Sequence, residues 1–151
     1  MVRIAVIGTG GWGKNHLRVL HELGTLAAFC DVDVSRVSKF QKEYGVKGYT
    51  SVEKLLNEEN LDGITICTPT STHYEIAEKT ISCGLHTFVE KPLTALAKEG
   101  EKLVEQADKK KVKLSAGYIE RFNPAVTELK SMLRSNKLGE PFLLEFHREN
   151  K

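Results

Sequence analysis

The run Val2-Arg3-Ile4-Ala5-Val6-Ile7-Gly8-Thr9-Gly10-Gly11-Trp12-Gly13-Lys14-Asn15-His16-Leu17 decides the fold. Val2 to Ile7 is short, apolar and β-branched, which predicts a strand buried on both faces. It runs straight into Gly8, Gly10 and Gly13, the spacing G-x-G-x-x-G. Gly13 to Leu23 then carries Leu17, Leu20 and Leu23 on one side and predicts a helix, stopped by Gly24. The spacing alone is weak; between a strand and a helix it has a mechanical reading. Gly8 permits the tight turn, Gly10 lets the backbone approach a pyrophosphate, and Gly13 lets helix and strand pack closely. Gly11 and Trp12 complete the turn, with Trp12 offering its backbone amide and local packing. Unpaired amides at the helix N-terminus face the phosphates, and the helix dipole favours their charge. The competing reading, a glycine turn with no ligand, leaves that context unexplained.

Working outward, strand and helix patterns alternate. Leu26 to Cys30 reads as a strand ending at Asp31, and Ser35 to Tyr44 as a helix stopped by Gly45. Tyr49 marks a short strand at most. Val52 to Glu59 is helical, with Ser51 as N-cap. Gly63 to Cys67 is a strand followed by Thr68-Pro69-Thr70. The next helix spans Thr72 to Cys83, with capping-box spacing at Thr72 and Glu75 and a stop at Gly84. His86 to Val89 is a strand followed by Glu90-Lys91-Pro92. Ala95 to Lys110 is an amphipathic helix and Val112 to Ala116 a strand. This rhythm implies an α/β fold, a doubly wound parallel Rossmann sheet with helices on both faces.

After Gly117 the rhythm changes. Tyr118 to Asn123 reads as a linker and Pro124 to Ser135 as a helix with proline near its start. Gly139-Glu140-Pro141 is a turn, and Phe142 to His147 reads as a strand. The expected division is a dinucleotide-binding domain over 1–120 and the start of a truncated second α/β domain over 121–151. A terminal strand extending to Arg148 has an unpaired edge, so pairing with another chain or poor order is expected.

Composition adds exclusions. The chain has 151 residues, 40% hydrophobic and 28% charged, which suits one ordinary globular domain and the beginning of another. A net charge of +2 implies neither a nucleic-acid groove nor an anionic membrane surface. The run Lys109, Lys110, Lys111 and Lys113 falls where a helix should end, a favourable place for cations. No apolar stretch approaches the roughly 18 residues that span a membrane. Cys30, Cys67 and Cys83 show no metal-ligand spacing, so no metal is expected. Cys30 and Cys67 read as buried free thiols, and a reducing, cytoplasmic setting fits.

Asp31 lies 18 residues after Gly13, at the end of the second strand. A carboxylate there accepts hydrogen bonds from the adenosine ribose hydroxyls and repels the extra phosphate of NADP, so NAD is favoured. An ordinary strand-end turn residue is the alternative. Arg36 can pair a 2′-phosphate or simply lie on its helix surface. Thr68-Pro69-Thr70 and Glu90-Lys91-Pro92 follow the fourth and fifth strands. In a doubly wound sheet such loops line the ligand crevice, beside the glycine turn. Lys91 is the long cation at that edge. It can hydrogen-bond a substrate hydroxyl and the nicotinamide ribose and stabilise a developing alkoxide; Glu90 can hold its ammonium in place. A solvated turn lysine is the alternative. His73 either contacts cofactor or caps its helix, the latter being the commoner role, while His16 and His21 read as packing or surface residues.

With these motifs in place, the chain resembles the N-terminal domain of the Gfo/Idh/MocA oxidoreductases, among them glucose–fructose oxidoreductase and inositol dehydrogenases. The matching residues are Ile7 to Gly13, Cys30-Asp31-Val32-Asp33, Thr68-Pro69-Thr70 with His73, Gly84 to Pro92, and Arg121-Phe122-Asn123-Pro124. Gly11 to Asn15, Glu22-Leu23-Gly24 and Ala27-Ala28 are similar to nucleotide-sugar 3-dehydrogenases of that family. The resemblance covers essentially the whole chain and about half of a usual member. It implies that Lys91 is a substrate-contacting, catalytic lysine and that the Lys91–Pro92 bond is cis. It also implies a second catalytic residue, a histidine in a D-x-x-x-H motif. None of the five histidines here has Asp four residues earlier, so catalysis is expected to need the further domain.

Two readings compete. In the first, the chain is the N-terminal portion of an NAD-dependent oxidoreductase that oxidises a secondary alcohol of a sugar, inositol or nucleotide-sugar. The full-length protein is then expected to be a homo-oligomer through a C-terminal sheet. In the second, it is a non-catalytic NAD-binding module or sensor. An S-adenosylmethionine methyltransferase shares the glycine loop and strand-end acid, but the Glu-Lys-Pro turn argues against it.

Overall fold

The computed structural model describes residues 1–145 and residue 147. Six strands, β1 (Ile4–Ile7), β2 (Leu26–Cys30), β3 (Lys47–Tyr49), β4 (Gly63–Ile66), β5 (His86–Glu90) and β6 (Leu114–Gly117), form one sheet in the order β3-β2-β1-β4-β5-β6. Every pairing is parallel. Between the strands lie α1 (Gly13–Glu22), α2 (Val34–Tyr44), α3 (Val52–Glu58), α4 (His73–Ser82) and α5 (Ala97–Lys110). This is the doubly wound order: successive strands are added toward one edge from β1 to β3 and toward the other from β4 to β6, so the strand order reverses between β1 and β4.

The sheet is buried from both sides, which explains why its strands read as continuous apolar runs. On one face Ala5, Ile7, Ile64, Ile66 and Val89 meet Leu55 of α3, Ala77 and Ile81 of α4, and Leu103 and Ala107 of α5. On the other, Val6 and Phe29 meet Leu17 of α1 and Phe40 of α2. Each such large side chain contributes about 1.5–3 kcal/mol of burial.

Local signals account for most element ends. Asp33 caps α2 by accepting from the N–H groups of Ser35 and Arg36, and Ser51 caps α3 through Lys54 N–H. Gly45 (φ 68°) and Gly84 (φ 78°) take the left-handed conformation just past their helices. The capping box expected at Thr72 and Glu75 does not form. The Thr72 hydroxyl bonds Thr68 Oγ1 and the Pro69 carbonyl instead, both at 2.8 Å, within a 3-10 turn over Thr70–Thr72.

The chain divides into two compact units, Met1–Gly117 and the residues from Tyr118 onward. In the second, a 3-10 turn covers Ile119–Phe122, where a linker was expected. Helix α6 (Pro124–Arg134) follows, with Pro124 at its start and Asn123 accepting from Ala125 N–H. The strand expected from Phe142 is not formed over residues 142–145, where Phe142 is 99% exposed. A strand needs a neighbour to pair with, and no described strand pairs with this segment. The part of that expectation falling on Phe146 and Arg148 lies outside the described residues.

Candidate functional site

The glycine turn at the end of β1 uses its glycines in two different ways. Gly8 has φ 85°, and a Cβ there would lie 2.8–2.9 Å from Thr68 Cγ2 and the Cys67 carbonyl group. At Gly13 a Cβ would come within 1.8 Å of the Gly8 carbonyl oxygen. These two serve the chain's own packing. A Cβ at Gly10 would have only Arg36 Nη1 nearby, at 3.8 Å, and one at Gly11 would meet nothing within 4 Å. The missing side chains at Gly10 and Gly11 therefore leave open space on the cleft side. Among the described residues no side-chain cap is made by Trp12 at the start of α1 and no acidic residue stands in its first turn, while the Gly10 and Trp12 carbonyls accept the Lys14, Asn15 and His16 N–H groups. An uncapped helix start beside an unobstructed glycine backbone fits a bound diphosphate.

Asp31 ends β2 beside this turn, and its structural role is larger than the sequence indicates. Its Oδ2 accepts the Thr9 N–H and the Thr9 hydroxyl, each at 2.7 Å. Its Oδ1 accepts the Asp33 N–H at 2.9 Å. Burial raises the acid's pKa, but the Asp33 N–H, the Thr9 hydroxyl and N–H, and the Arg36 charge together hold it below the usual carboxylate range. Arg36 Nη1 lies 3.6 Å from Asp31 Oδ2, and Arg36 Nε lies 3.5 Å from Asp33 Oδ2. The guanidinium thus faces two carboxylates at the cleft's lip.

Across the sheet's reversal, β4 and β5 supply the other wall. The Lys91–Pro92 peptide is cis. His73 is not a helix cap: it is buried at 1% exposure and bridges two loops. Its Nδ1 lies 2.8 Å from the Pro92 carbonyl oxygen and its Nε2 lies 2.9 Å from that of Thr68. A carbonyl oxygen only accepts, so the ring serves both at once only when it carries two N–H groups. Glu90 does not hold the Lys91 ammonium. Its Oε1 accepts from His16 Nε2 at 2.8 Å, and its Oε2 accepts the Lys91 N–H at 3.3 Å. Lys91 is exposed and lines the cleft.

The glycine turn (Gly8, Gly10, Gly11, Trp12), Asp31, the Thr68–Thr70 loop, His73, Glu90 and Lys91 line one cleft of about 690 Å³. Gly13 stands behind the cleft, packed against Gly8. Cys30 and Cys67 also line the cleft, and burial pushes both thiols up to about 12. Cys67 is only half-buried, less than its apolar setting suggests. A second depression of about 500 Å³ holds no comparable set. There Lys79 is taken up by Glu53 and Glu75, at 2.7 and 2.9 Å.

Sequence reasoning missed His16. It stands in the first turn of α1, yet its partner Glu90 is 74 residues away. Its position three residues after Gly13 puts it near the turn, but only the β1–β4–β5 adjacency brings Glu90 to it.

This arrangement defines a dinucleotide-binding Rossmann domain, and sequence comparison names its family. Residues 2–118 match the profile of the Gfo/Idh/MocA group, described as an oxidoreductase family with an NAD-binding Rossmann fold, and the chain belongs to that family. It is 33% identical over 147 residues to a UDP-N-acetylglucosamine 3-dehydrogenase of Acidithiobacillus ferrooxidans, covering 97% of this chain and 45% of the relative. It is 30% identical over 146 residues to a myo-inositol 2-dehydrogenase of Thermotoga maritima, covering 95% of this chain and 44% of the relative. The WlbA dehydrogenase of Chromobacterium violaceum, solved with NADH and UDP-GlcNAcA, superposes with a TM-score of 0.86 at 26% identity, over 91% of this chain and 41% of that one. The chain spans about half the length of the curated relatives it matches. No helix among the described residues is long and apolar enough to cross a membrane.

Proposed function

We propose that this chain is the dinucleotide-gripping portion of an NAD-dependent dehydrogenase acting on a secondary alcohol of a sugar, inositol or nucleotide-sugar. The observation that carries the reading is convergence. The open glycine backbone running into the uncapped start of α1, Asp31 and Lys91 come from three separate stretches of chain and meet at one cleft. The relatives are named as dehydrogenases of a nucleotide-sugar and an inositol, which supports the substrate class.

When bound, NAD supplies the acceptor for the hydride. The chain's residues do the rest. Amides at the start of α1 and the backbone of Gly10 and Gly11 hold the diphosphate. Asp31 keeps the turn in place through Thr9 and presents its remaining acceptor capacity toward the ribose. Lys91 holds the substrate hydroxyl and stabilises the negative charge that develops on its oxygen. Thr68, Pro69, Thr70 and His73 shape the opposite wall. NAD is preferred over NADP because Arg36 already faces Asp31 and Asp33, whose charges oppose a 2′-phosphate.

In this reading the residues from about 121 begin a second domain that carries a further acid/base group and the sheet of a homo-oligomer. The cytoplasm is the expected compartment, in keeping with three free thiols. The test is a Lys91→Ala variant of the full-length protein. NADH affinity should stay within about threefold while turnover falls by at least about a hundredfold. Turnover within tenfold of the parent would remove Lys91 from the reaction.

A further inference from the structure

Lys91 extends from a short turn, and a long flexible side chain is only as well placed as the backbone that carries it. That turn is gripped on both flanks. On the upstream side Glu90 Oε1 is bonded by His16 Nε2 at 2.8 Å, while Glu90 Oε2 folds back to the Lys91 N–H at 3.3 Å. On the downstream side the Pro92 carbonyl is bonded by His73 Nδ1 at 2.8 Å, and the same ring reaches the Thr68 carbonyl at 2.9 Å.

We propose that His16 and His73 are positioning residues for Lys91, clamping its turn to the two loops that hold the dinucleotide. This rests on the reading of Lys91 as the substrate-contacting lysine. The two histidines occupy matching places. His16 is in the first turn of α1, the helix that opens from the glycine turn, and His73 begins α4, the helix that opens from the Thr68–Thr70 loop. A ligand that draws either helix start toward the cleft therefore pulls on the Lys91 turn through one hydrogen bond. Filling the cleft and fixing the lysine become one event.

Packing alone gives no reason for this arrangement. Glu90 is 8% exposed, and a carboxylate at that depth costs free energy unless it is paired. An apolar residue would fill the same space without needing His16. Gly117 also accommodates the acid, since a Cβ there would sit 3.0 Å from Glu90 Oε2. Three distant positions, 16, 90 and 117, are thus committed to one carboxylate next to Lys91.

The experiment is amide hydrogen exchange by NMR on the 151-residue chain, with and without NADH, for the parent, His16→Ala, His16→Gln and His73→Asn. In the parent, NADH should slow exchange at Lys91 and Leu93 by about tenfold or more. Without NADH, His16→Ala should speed exchange at Lys91 by about tenfold, as expected for one lost bond to a charged group. NADH should then slow it by less than about twofold, although NADH affinity changes by less than about threefold. His16→Gln places an amide N–H near the Nε2 position and should restore both values. His73→Asn keeps a donor near Nδ1 but loses the Thr68 link, so exchange at the turn should stay slow without NADH while the response to NADH is lost.

A purely structural role gives a different pattern: a lower unfolding temperature, exchange raised evenly along β5, and an NADH response at Lys91 equal to the parent's. That result, or failure of glutamine to rescue, overturns the proposal. If the parent chain takes up no NADH, the proposed function fails. Exchange at Lys91 without ligand then still decides whether His16 holds the turn.

Discussion

Asp31 Oδ2 accepts both hydrogen-bond donors of Thr9 at 2.7 Å, so the end of β2 fastens the glycine turn that follows β1. One carboxylate thereby shapes the glycine turn and lines the cleft beside it. Asp31→Ala leaves the buried Thr9 N–H without a partner, which costs about 1–3 kcal/mol. The variant should lose about that much stability in urea unfolding and bind NADH at least tenfold more weakly. Weaker binding with unchanged stability would assign Asp31 to the ribose alone.

The same residue fixes a pH dependence. Its folded-state pKa is lowered, so its stabilisation is complete above the unfolded value of about 3.9 and is lost as pH falls through the folded value. The stability difference between the parent and Asp31→Asn should stay constant from neutral pH to about 5 and shrink only below about 4. Urea midpoints measured across that range test this. A difference that decays between pH 7 and 5 would contradict it.

Glycine substitutions separate packing from ligand binding. Gly13→Ala drives a methyl into the Gly8 carbonyl oxygen, so the chain should fail to fold or lose several kcal/mol, about the scale of severe core strain. Gly10→Ala has only Arg36 Nη1 within 4 Å and should unfold within a few degrees of the parent. It should nevertheless weaken NADH binding by about a hundredfold, because its methyl occupies the line of diphosphate approach. Circular-dichroism melts and calorimetry on the pair read both outcomes.

Thiol chemistry reports on the cleft. Cys83 is exposed, whereas burial pushes Cys30 and Cys67 up to about 12. At pH 8 one thiol should react quickly with a disulfide reagent and two should react far more slowly, because burial keeps them protonated and shielded. NADH should slow Cys67 further. Three equal rates would contradict the burial of the cleft floor.

The sheet was legible because its strands are short apolar runs separated by helix stops such as Gly24, Gly45 and Gly84. The cleft was legible because a doubly wound sheet brings its strand ends together, so Asp31, Thr68 and Lys91 could be grouped without knowing a distance. Side-chain pairing across that edge was not legible. That Glu90 turns to His16 and to the Lys91 N–H, and not to the Lys91 ammonium, depends on a contact spanning 74 residues. The Thr72 hydroxyl followed a local rule until the 3-10 turn offered it Thr68 and the Pro69 carbonyl. The strand expected from Phe142 has the right local pattern and no described neighbour, which no local pattern can reveal.

Trp12 is the chain's single tryptophan and lines the cleft, so its fluorescence reports directly on what enters there. Titration of the folded chain with NADH should quench that emission saturably at one equivalent, more tightly than NADPH, and Gly10→Ala should abolish the effect at the same concentrations. Folded chain whose emission stays unchanged at millimolar NADH, with no heat of binding by calorimetry, would contradict the assignment of this cleft to a dinucleotide.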